Sequence, residues 1–550
     1  MKQKKQLSYL IVALIVALSA IIGYNSLNPS KPNYYDNSRV NVSKQVDHIK
    51  EISKEPHSIF DVEGKKNVQN YLVSELKKLG VESKIYGYKD VYVERTKTKE
   101  DLENIYAEIK GKSDSYIMLV THYDSSRAKK ERYAEKDGSF GAADAGYGLS
   151  TILETIRAIK ENNVELENGI KILITDGEEY GLLGAKEAVK EKEIFKNVNY
   201  LINLEARGTK GPAIMFETSP NNSAVVDLYK SSDKPFSYSI TPEIYRLLPN
   251  STDFTVFLDA KIKGINISVL DGLENYHTPN DSIENISEKS LQHFGDQVLP
   301  IVTEFVSNPK YSNPDNLTSD DDSIFFSLGS LFIEYSKAVN YVLVGLILIA
   351  IVFLFNKLKI QKFGKVFKYT LINTGFTIVT MGIAYGLTRI VAMINGRPFK
   401  LTYLPLMKFE GAIILTFIAL TFALYALLIR KFTNKFKERN EFVLGSLILL
   451  WILSVVVTIA LPGASYLMVF PAILLSIFTI VNSIVSNTTG SKTSYIMLIP
   501  IALITVLYVP TIYLFNCALT FGALSANMLF IMIGFIAILP SIVQIRGIVK

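Results

Sequence analysis

A mixed, largely parallel α/β sheet flanked by helices, followed by an all-α polytopic transmembrane bundle, is the fold class this 550-residue sequence predicts. Three observations predict it. Short apolar runs alternate with helix-patterned stretches through residues 1–330, where the charged side chains are concentrated. From residue 338 onward the chain is almost continuously apolar, and a separate apolar run stands near its start. Hydrophobic residues make up 49% of the chain and charged ones 20%, so this segregation rules out a single soluble protein.

The chain opens MKQKKQ and continues LSYLIVALIVALSAIIGY from Leu7 to Tyr24. That is about 18 uncharged residues, near the length that crosses a hydrocarbon core in 1.5 Å steps. A cleaved signal peptide is the competing reading. The run is longer than a usual signal core and the small-residue cleavage pattern is weak, which favours an uncleaved anchor. In Asn67–Gly80, NVQNYLVSELKKLG, the residues Val68, Tyr71, Leu72, Leu76 and Leu79 recur at helical spacing and a Gly follows, predicting an amphipathic helix. Five apolar runs come next: Tyr116–Thr121, Ile170–Thr175, Tyr200–Leu204, Ala213–Phe216 and Ile262–Leu270. With helical stretches between them they read as strands of a helix-covered sheet. Ser307–Ser323, rich in Asn, Pro, Ser and Asp, reads as a linker. The organisation expected is therefore an anchor at 1–27, an outer domain at 28–310, a linker and juxtamembrane segment at 311–337, and a seven-helix membrane domain at 338–550.

The seven apolar segments lie near 338–356, 369–393, 410–429, 442–461, 464–485, 494–515 and 518–543. If all span, the basic residues Lys2, Lys4 and Lys5, then Lys357, Lys359, Lys362, Lys365 and Lys368, then Arg430, Lys431, Lys435, Lys437 and Arg439 fall on one side, together with Lys492, Arg546 and Lys550. The other side offers mainly Arg397, Lys400 and Lys408. The positive-inside bias then puts both termini in the cytoplasm and the outer domain outside it, in a multi-pass protein of the cell membrane. Polar residues inside the spans are few. Arg389 sits near a helix end, and Asn373, Asn482 and Asn527 suit helix packing better than a transport path. The net charge, 58 − 52 = +6, is too small and scattered to indicate nucleic acid. A sole cysteine, Cys517, excludes an intramolecular disulfide.

In a sheet of this kind ligands bind beyond the carboxyl ends of the strands, so the residues after each apolar run are the informative ones. After YIMLVT stands His122-Tyr-Asp124; after IKILIT, Asp176-Gly-Glu178-Glu179; after YLINL, Glu205. The Gly-rich stretch GSFGAADAGYG carries Asp144, and the loop after the last run carries Tyr276-His277-Thr278. Two imidazoles and several carboxylates at neighbouring strand ends form a nitrogen and oxygen donor set suited to zinc or a similar divalent ion. Each is unremarkable alone: a lone His is more often a hydrogen-bonded structural residue, and Glu178-Glu179 more often a solvated turn. The ordered set carries the signal. The three other histidines, His48, His57 and His293, have no acidic cluster beside them in sequence and read as structural or surface residues.

With THYDS, GAADAGYG, TDGEEYGLLGA, NLEARG and YHTPNDS in this order, the sequence resembles the zinc-dependent exopeptidases related to bacterial leucyl aminopeptidase and glutamate carboxypeptidase. Within them it looks like the membrane-bound branch of the endoplasmic reticulum metallopeptidase and the fungal vacuolar membrane protease. The resemblance covers roughly residues 40–310 and continues loosely through Ser323–Ser336. It implies the zinc exopeptidase fold, two zinc ions per chain, and a peptide substrate. It also implies that His122 and Glu205 bind one metal, Glu179 and His277 the other, and that Asp144 bridges them. Glu178 is then the general base, Asp124 the partner orienting His122, and the Asp144–Ala145 peptide cis. Three stretches depart from the pattern: Ala145 replaces a second acidic or amide residue, Glu205 an Asp of the soluble enzymes, and Asn250-Ser251 a Ser-Asp pair. Arg207, Tyr245, Arg246 and Tyr276 are candidates for contacting substrate. A binding protein on a degenerate peptidase fold and a one-zinc glutaminyl cyclase are the alternatives. Membrane lipid is the other expected partner; no oligomeric state follows.

Overall fold

A computed structural model describes residues 2–28, 30–127, 138–399, 409–434, 437–489 and 493–545. Lys400, Lys408, Lys435, Lys492, Arg546 and Lys550, counted above in the loop charges, lie outside these. The chain divides into two compact units, Asn28–Glu334 and Met1–Leu27 with Tyr335–Lys550. After α1 (Lys2–Asn25), the first of these units contains α2 (Val42–Ile52), α3 (Val62–Lys78), β1 (Ser83–Val93), β2 (Thr98–Ile109), β3 (Tyr116–His122), α4 (Gly146–Glu161), β4 (Gly169–Thr175), α5 (Leu183–Ala188), α6 (Lys192–Phe195), β5 (Val198–Ala206), β6 (Ile214–Thr218), α7 (Ser223–Tyr229), α8 (Ile240–Tyr245), α9 (Asp253–Asp259), β7 (Gly264–Val269) and α10 (Glu288–Ser307).

One seven-stranded sheet, ordered β1-β2-β4-β3-β5-β7-β6, organises that unit. The neighbours β4, β3, β5 and β7 run parallel, while β1, β2 and β6 are antiparallel to theirs. Every residue of β3, β4 and β7 is buried, as strands covered on both faces require. The expected strands at 116–121, 170–175, 200–204, 213–216 and 262–270 thus correspond to β3 to β7. The hairpin β1–β2 was not anticipated: its sequence, SKIYGYKDVYV and TKEDLENIYAEI, mixes exposed charge with buried Leu102, Asn104, Ile105 and Ala107, which lie on both faces of β2, so no clean apolar run or two-residue period marks it. Helix α3 buries Val68, Leu72 and Leu76 and stops at Gly80, whose φ of +67° is the left-handed value that favours Gly. Close approach of α4 to β3 depends on Gly148, since a Cβ there would lie 2.3 Å from Thr121 Oγ1.

The expected linker at 311–337 is not a free tether. Two 3-10 turns, Pro309–Ser312 and Pro314–Leu317, are capped by the side chains of Asn308 and Asn313, and they bury Tyr311 and Leu317 in the main core. The Asn and Pro content is spent on turn geometry rather than flexibility. Strand β8 (Ser323–Leu328) is largely buried and pairs with β9 (Leu331–Ser336).

The other unit holds α1 and α11 (Lys337–Lys357), α12 (Phe363–Ile394), α13 (Glu410–Phe432), α14 (Arg439–Ala460), α15 (Tyr466–Thr489), α16 (Leu498–Leu519) and α17 (Leu524–Gln544). Among the described residues, eight helices are long and apolar enough to cross a membrane. Asn373 works as a packing residue: it donates to Ser446 Oγ at 3.0 Å and accepts from the buried Tyr425 hydroxyl at 2.9 Å, tying α12 to α13 and α14. Arg389 lies over Tyr385 and Phe399 and donates to the Tyr385 hydroxyl.

Candidate metal centre

The parallel strands deliver their carboxyl ends to one place. β3 ends on His122, β4 leads into Asp176-Gly177-Glu178-Glu179, β5 carries Glu205 next to its last residue, and β7 leads to the loop bearing His277. Asp144 stands just before α4, and the Asp144–Ala145 peptide is cis. Two donor groups result, His122–Asp144–Glu205 and Asp144–Glu179–His277, each with ligand atoms within 4.8 Å of one another.

Asp144 belongs to both groups through different oxygens. Its Oδ1 lies 3.2 Å from His122 Nε2, and its Oδ2 lies 3.3 Å from His277 Nε2. Glu205 Oε2 is 3.6 Å from His122 Nε2, and Glu179 Oε1 is 2.9 Å from His277 Nε2. The last two atoms are buried and close yet make no hydrogen bond, so they are aimed past each other. Among the described residues, five carboxylates, Asp124, Asp144, Glu178, Glu179 and Glu205, gather around the two imidazoles of the donor groups. Buried negative charge in that excess, on hard oxygen and imidazole donors, fits divalent cations such as zinc.

The electrostatics carry the same imprint. Burial and the charge of Glu205 push Glu178 well above the usual carboxylate range. Burial also lifts Glu179, against the pull of His277. Asp144 goes the other way: burial alone would raise it, but the adjacent imidazoles of His122 and His277 hold it far down. Burial alone would lower His277, yet Glu179 and Asp144 hold it up at about 9. His122 is likewise raised, by Asp124, Asp144 and Glu205 against its own burial.

Asp124 does more than the expected orienting contact. His122 Nδ1 donates to the main-chain oxygen of Asp124 at 2.9 Å, with the carboxylate 3.5 Å away, leaving Nε2 to face Asp144. The Asp124 carboxylate instead accepts from the amides of Glu178 and Glu179, at 3.0 and 3.2 Å. One residue therefore fixes both the imidazole and the acidic turn. Gly177, at φ +77°, lets that turn fold back.

Several residues around the site were not read from sequence. Asp281 accepts from the amides of Ala143 and Asp144 and from Ser139 Oγ, holding the Gly-rich stretch; burial and the Asp144 charge push it up to about 7. It lay inside YHTPNDS without being singled out. Asp253 is buried and accepts from Thr175 Oγ1. His57, read as structural or surface, is buried, and its ring would sit 3.0 Å from a Cβ on Gly141. His293 is structural, bonding Ala213 N and Lys234 O. Of the substrate candidates, Tyr276 stacks on His277 with centroids 3.7 Å apart, Tyr245 packs edge-on to Phe216, and Arg246 donates to Thr218 O. The charges of Glu217, Glu205 and Glu178 and of Arg207 all reach Tyr245.

Residues 104–302 match the model of Peptidase family M28. The human endoplasmic reticulum metallopeptidase 1 is 23% identical over 61% of this chain and 38% of its own length. The vacuolar membrane protease of Candida tropicalis is 28% identical over 44% of this chain and 26% of its own. The chain spans about a quarter to two fifths of the length of the curated relatives it matches first. Among solved structures, glutaminyl cyclase of Fimbriiglobus ruber aligns with 50% of this chain and 97% of its own, at 16% identity and a TM-score of 0.41. The stretch similar to Peptidase family M28, residues 104–302, contains every member of the two donor groups gathered at the ends of the parallel strands.

Proposed function

We propose that the protein is a membrane-anchored di-zinc exopeptidase, acting as an aminopeptidase, with Glu178 as its general base. The observation that carries this reading is the pair of donor groups joined by the two oxygens of Asp144. His122, Asp144 and Glu205 would hold one ion, and Asp144, Glu179 and His277 the other. Such paired ions, when bound, lower the pKa of a water and polarise a carbonyl. This chain supplies what the ions lack. Glu178 enters neither donor group, and its amide, like that of Glu179, is pinned to Asp124, so the neighbouring side chains take different directions and roles. A carboxyl held high by burial takes a proton readily and returns it to the leaving amine. Tyr245, Arg207 and Tyr276 would line the substrate side.

The test is on the full chain in detergent: zinc content, and hydrolysis of free and N-blocked peptides with and without chelator. Two zinc ions per chain and chelator-sensitive release of free N-terminal residues are expected. One zinc with cyclisation of N-terminal glutaminyl peptides would replace this reading by a cyclase. Bound zinc with no turnover would favour a binding role.

The loop charges support an outer unit outside the cytoplasm, at the cell membrane, with both termini inside. A reporter placed after Lys357 is then expected to be cytoplasmic; protease access to that loop from outside intact cells would reverse the topology.

A further inference from the structure

Behind the metal ligand Glu205 runs a row of buried amides that the reaction described above does not use. Asn203 and Glu205 are two positions apart on β5 and so share a face. Asn203 Nδ2 donates to Glu205 Oε1 at 3.0 Å and to Asn266 Oδ1 at 3.1 Å. Asn266, its register partner on β7, passes the chain on: its Nδ2 donates to Glu217 Oε2 at 3.2 Å and to Thr252 Oγ1 at 2.9 Å. Glu217 in turn pairs with Asn266 in the β6–β7 register. Asn203 and Asn266 are fully buried.

We infer that Asn203, braced by Asn266, is a positioning residue that makes Glu205 a one-oxygen metal ligand. The inference rests on the di-zinc reading. With Oε1 held by Asn203, the oxygen left facing His122 Nε2 is Oε2, at 3.6 Å. A carboxylate pinned on one oxygen cannot swing to chelate an ion through both, nor turn away from it. The apolar surroundings of β5 do not call for an amide at this position. Its neighbours in β5 are Leu201, Ile202 and Leu204, all buried. Asn203 Oδ1 itself has no hydrogen-bond partner among the described residues, and a buried acceptor left unpaired opposes folding. An apolar side chain of the same size would fit the strand, leaving Asn266 Oδ1 without its donor. Orientation of Glu205 is what the apolar side chain would lose. The row is anchored at its far end as well, since Thr252 begins α9 with a capping box and Glu217 lies beside Arg246. A relay fixed at both ends holds its middle.

The experiment is zinc competition against a chromophoric chelator, on the full chain in detergent, with Asn203→Leu and Asn203→Asp. Leu removes the donor at similar volume; Asp keeps the shape and sets an acceptor against Glu205, so it remains informative if the Leu variant does not fold. Partners that orient a ligating side chain typically contribute 10–100-fold to metal affinity. Expected, therefore, is about a 10–100-fold weaker affinity for one of the two zinc ions, with the second bound as before. The metal-free variants melt at a lower temperature, because Asn266 Oδ1 loses its donor, but that loss does not single out one ion. Both ions bound as in the unsubstituted chain would overturn the inference, as would an equal loss at both sites. If the unsubstituted chain binds no zinc, the di-zinc reading fails and the inference with it, a pattern that no Asn203 variant can produce.

Discussion

Glu178→Gln is expected to leave both zinc ions bound while lowering kcat by about 10²–10⁴-fold, the range a positioned general acid–base contributes. The substitution keeps the length and hydrogen-bonding shape of the side chain and removes only its ability to carry a proton. Its main-chain amide still donates to Asp124, so the turn that also positions Glu179 is retained. Because Glu178 lies outside both donor groups, zinc content is the internal control. The limb of the pH–rate profile that reports the base should vanish with it. Normal turnover in this variant would remove Glu178 from the mechanism; loss of zinc would instead make it a ligand or an organiser of the donor groups.

Why so many of these residues could be read from sequence has a physical basis. A central parallel strand is buried on both faces, so it appears as an uninterrupted apolar run, and the polar residue that ends it stands out. His122 after YIMLVT and Glu179 after IKILIT are visible for that reason. The hairpin at one end of the sheet lacks that contrast: β1 and β2 mix Lys, Asp and Glu with their buried positions, so it was not anticipated. The segment at 311–334 misled through composition, because Asn and Pro serve tight capped turns as well as tethers. Residues that act through main-chain amides were hidden for another reason. Asp281 touches the amides of Ala143 and Asp144 across about 140 positions of chain, a relation that no local pattern encodes. Asn203 did leave a trace, as the one amide inside the apolar run YLINL, but only the β5–β7 register shows what it meets.

Lys65→Met is expected to cost about 3–5 kcal/mol of stability, because it strands a buried carboxylate rather than merely losing a contact. Lys65 Nζ lies 2.8 Å from Asp176 Oδ2, and the Asp176 side chain is wholly buried. Asp176 begins the acidic turn and is held there by the Glu103 amide and by Asn104. Even with Lys65 present, burial lifts Asp176 from 3.8 to about 6. Its folded value is thus above its unfolded one, so between those values the folded state binds more protons. This group therefore makes stability fall as pH rises through that window, and opposes folding in full above about pH 6. Removing the cation raises the folded value further. The unfolded value is common to both proteins. The deficit of Lys65→Met relative to the unsubstituted protein should therefore be largest above the variant's raised folded value, shrink as pH falls from there to about 6, and stay level below. Denaturant melts of both proteins with chelator present, at several pH values, measure that difference; protonation of the donor-group side chains is common to both and cancels. Adding Asp176→Asn should recover most of the loss, since an amide keeps an acceptor for Glu103 N without the charge. A deficit that stays constant with pH and is not relieved by Asp176→Asn would assign the role of Lys65 to the packing of its methylenes against the sheet rather than to its charge.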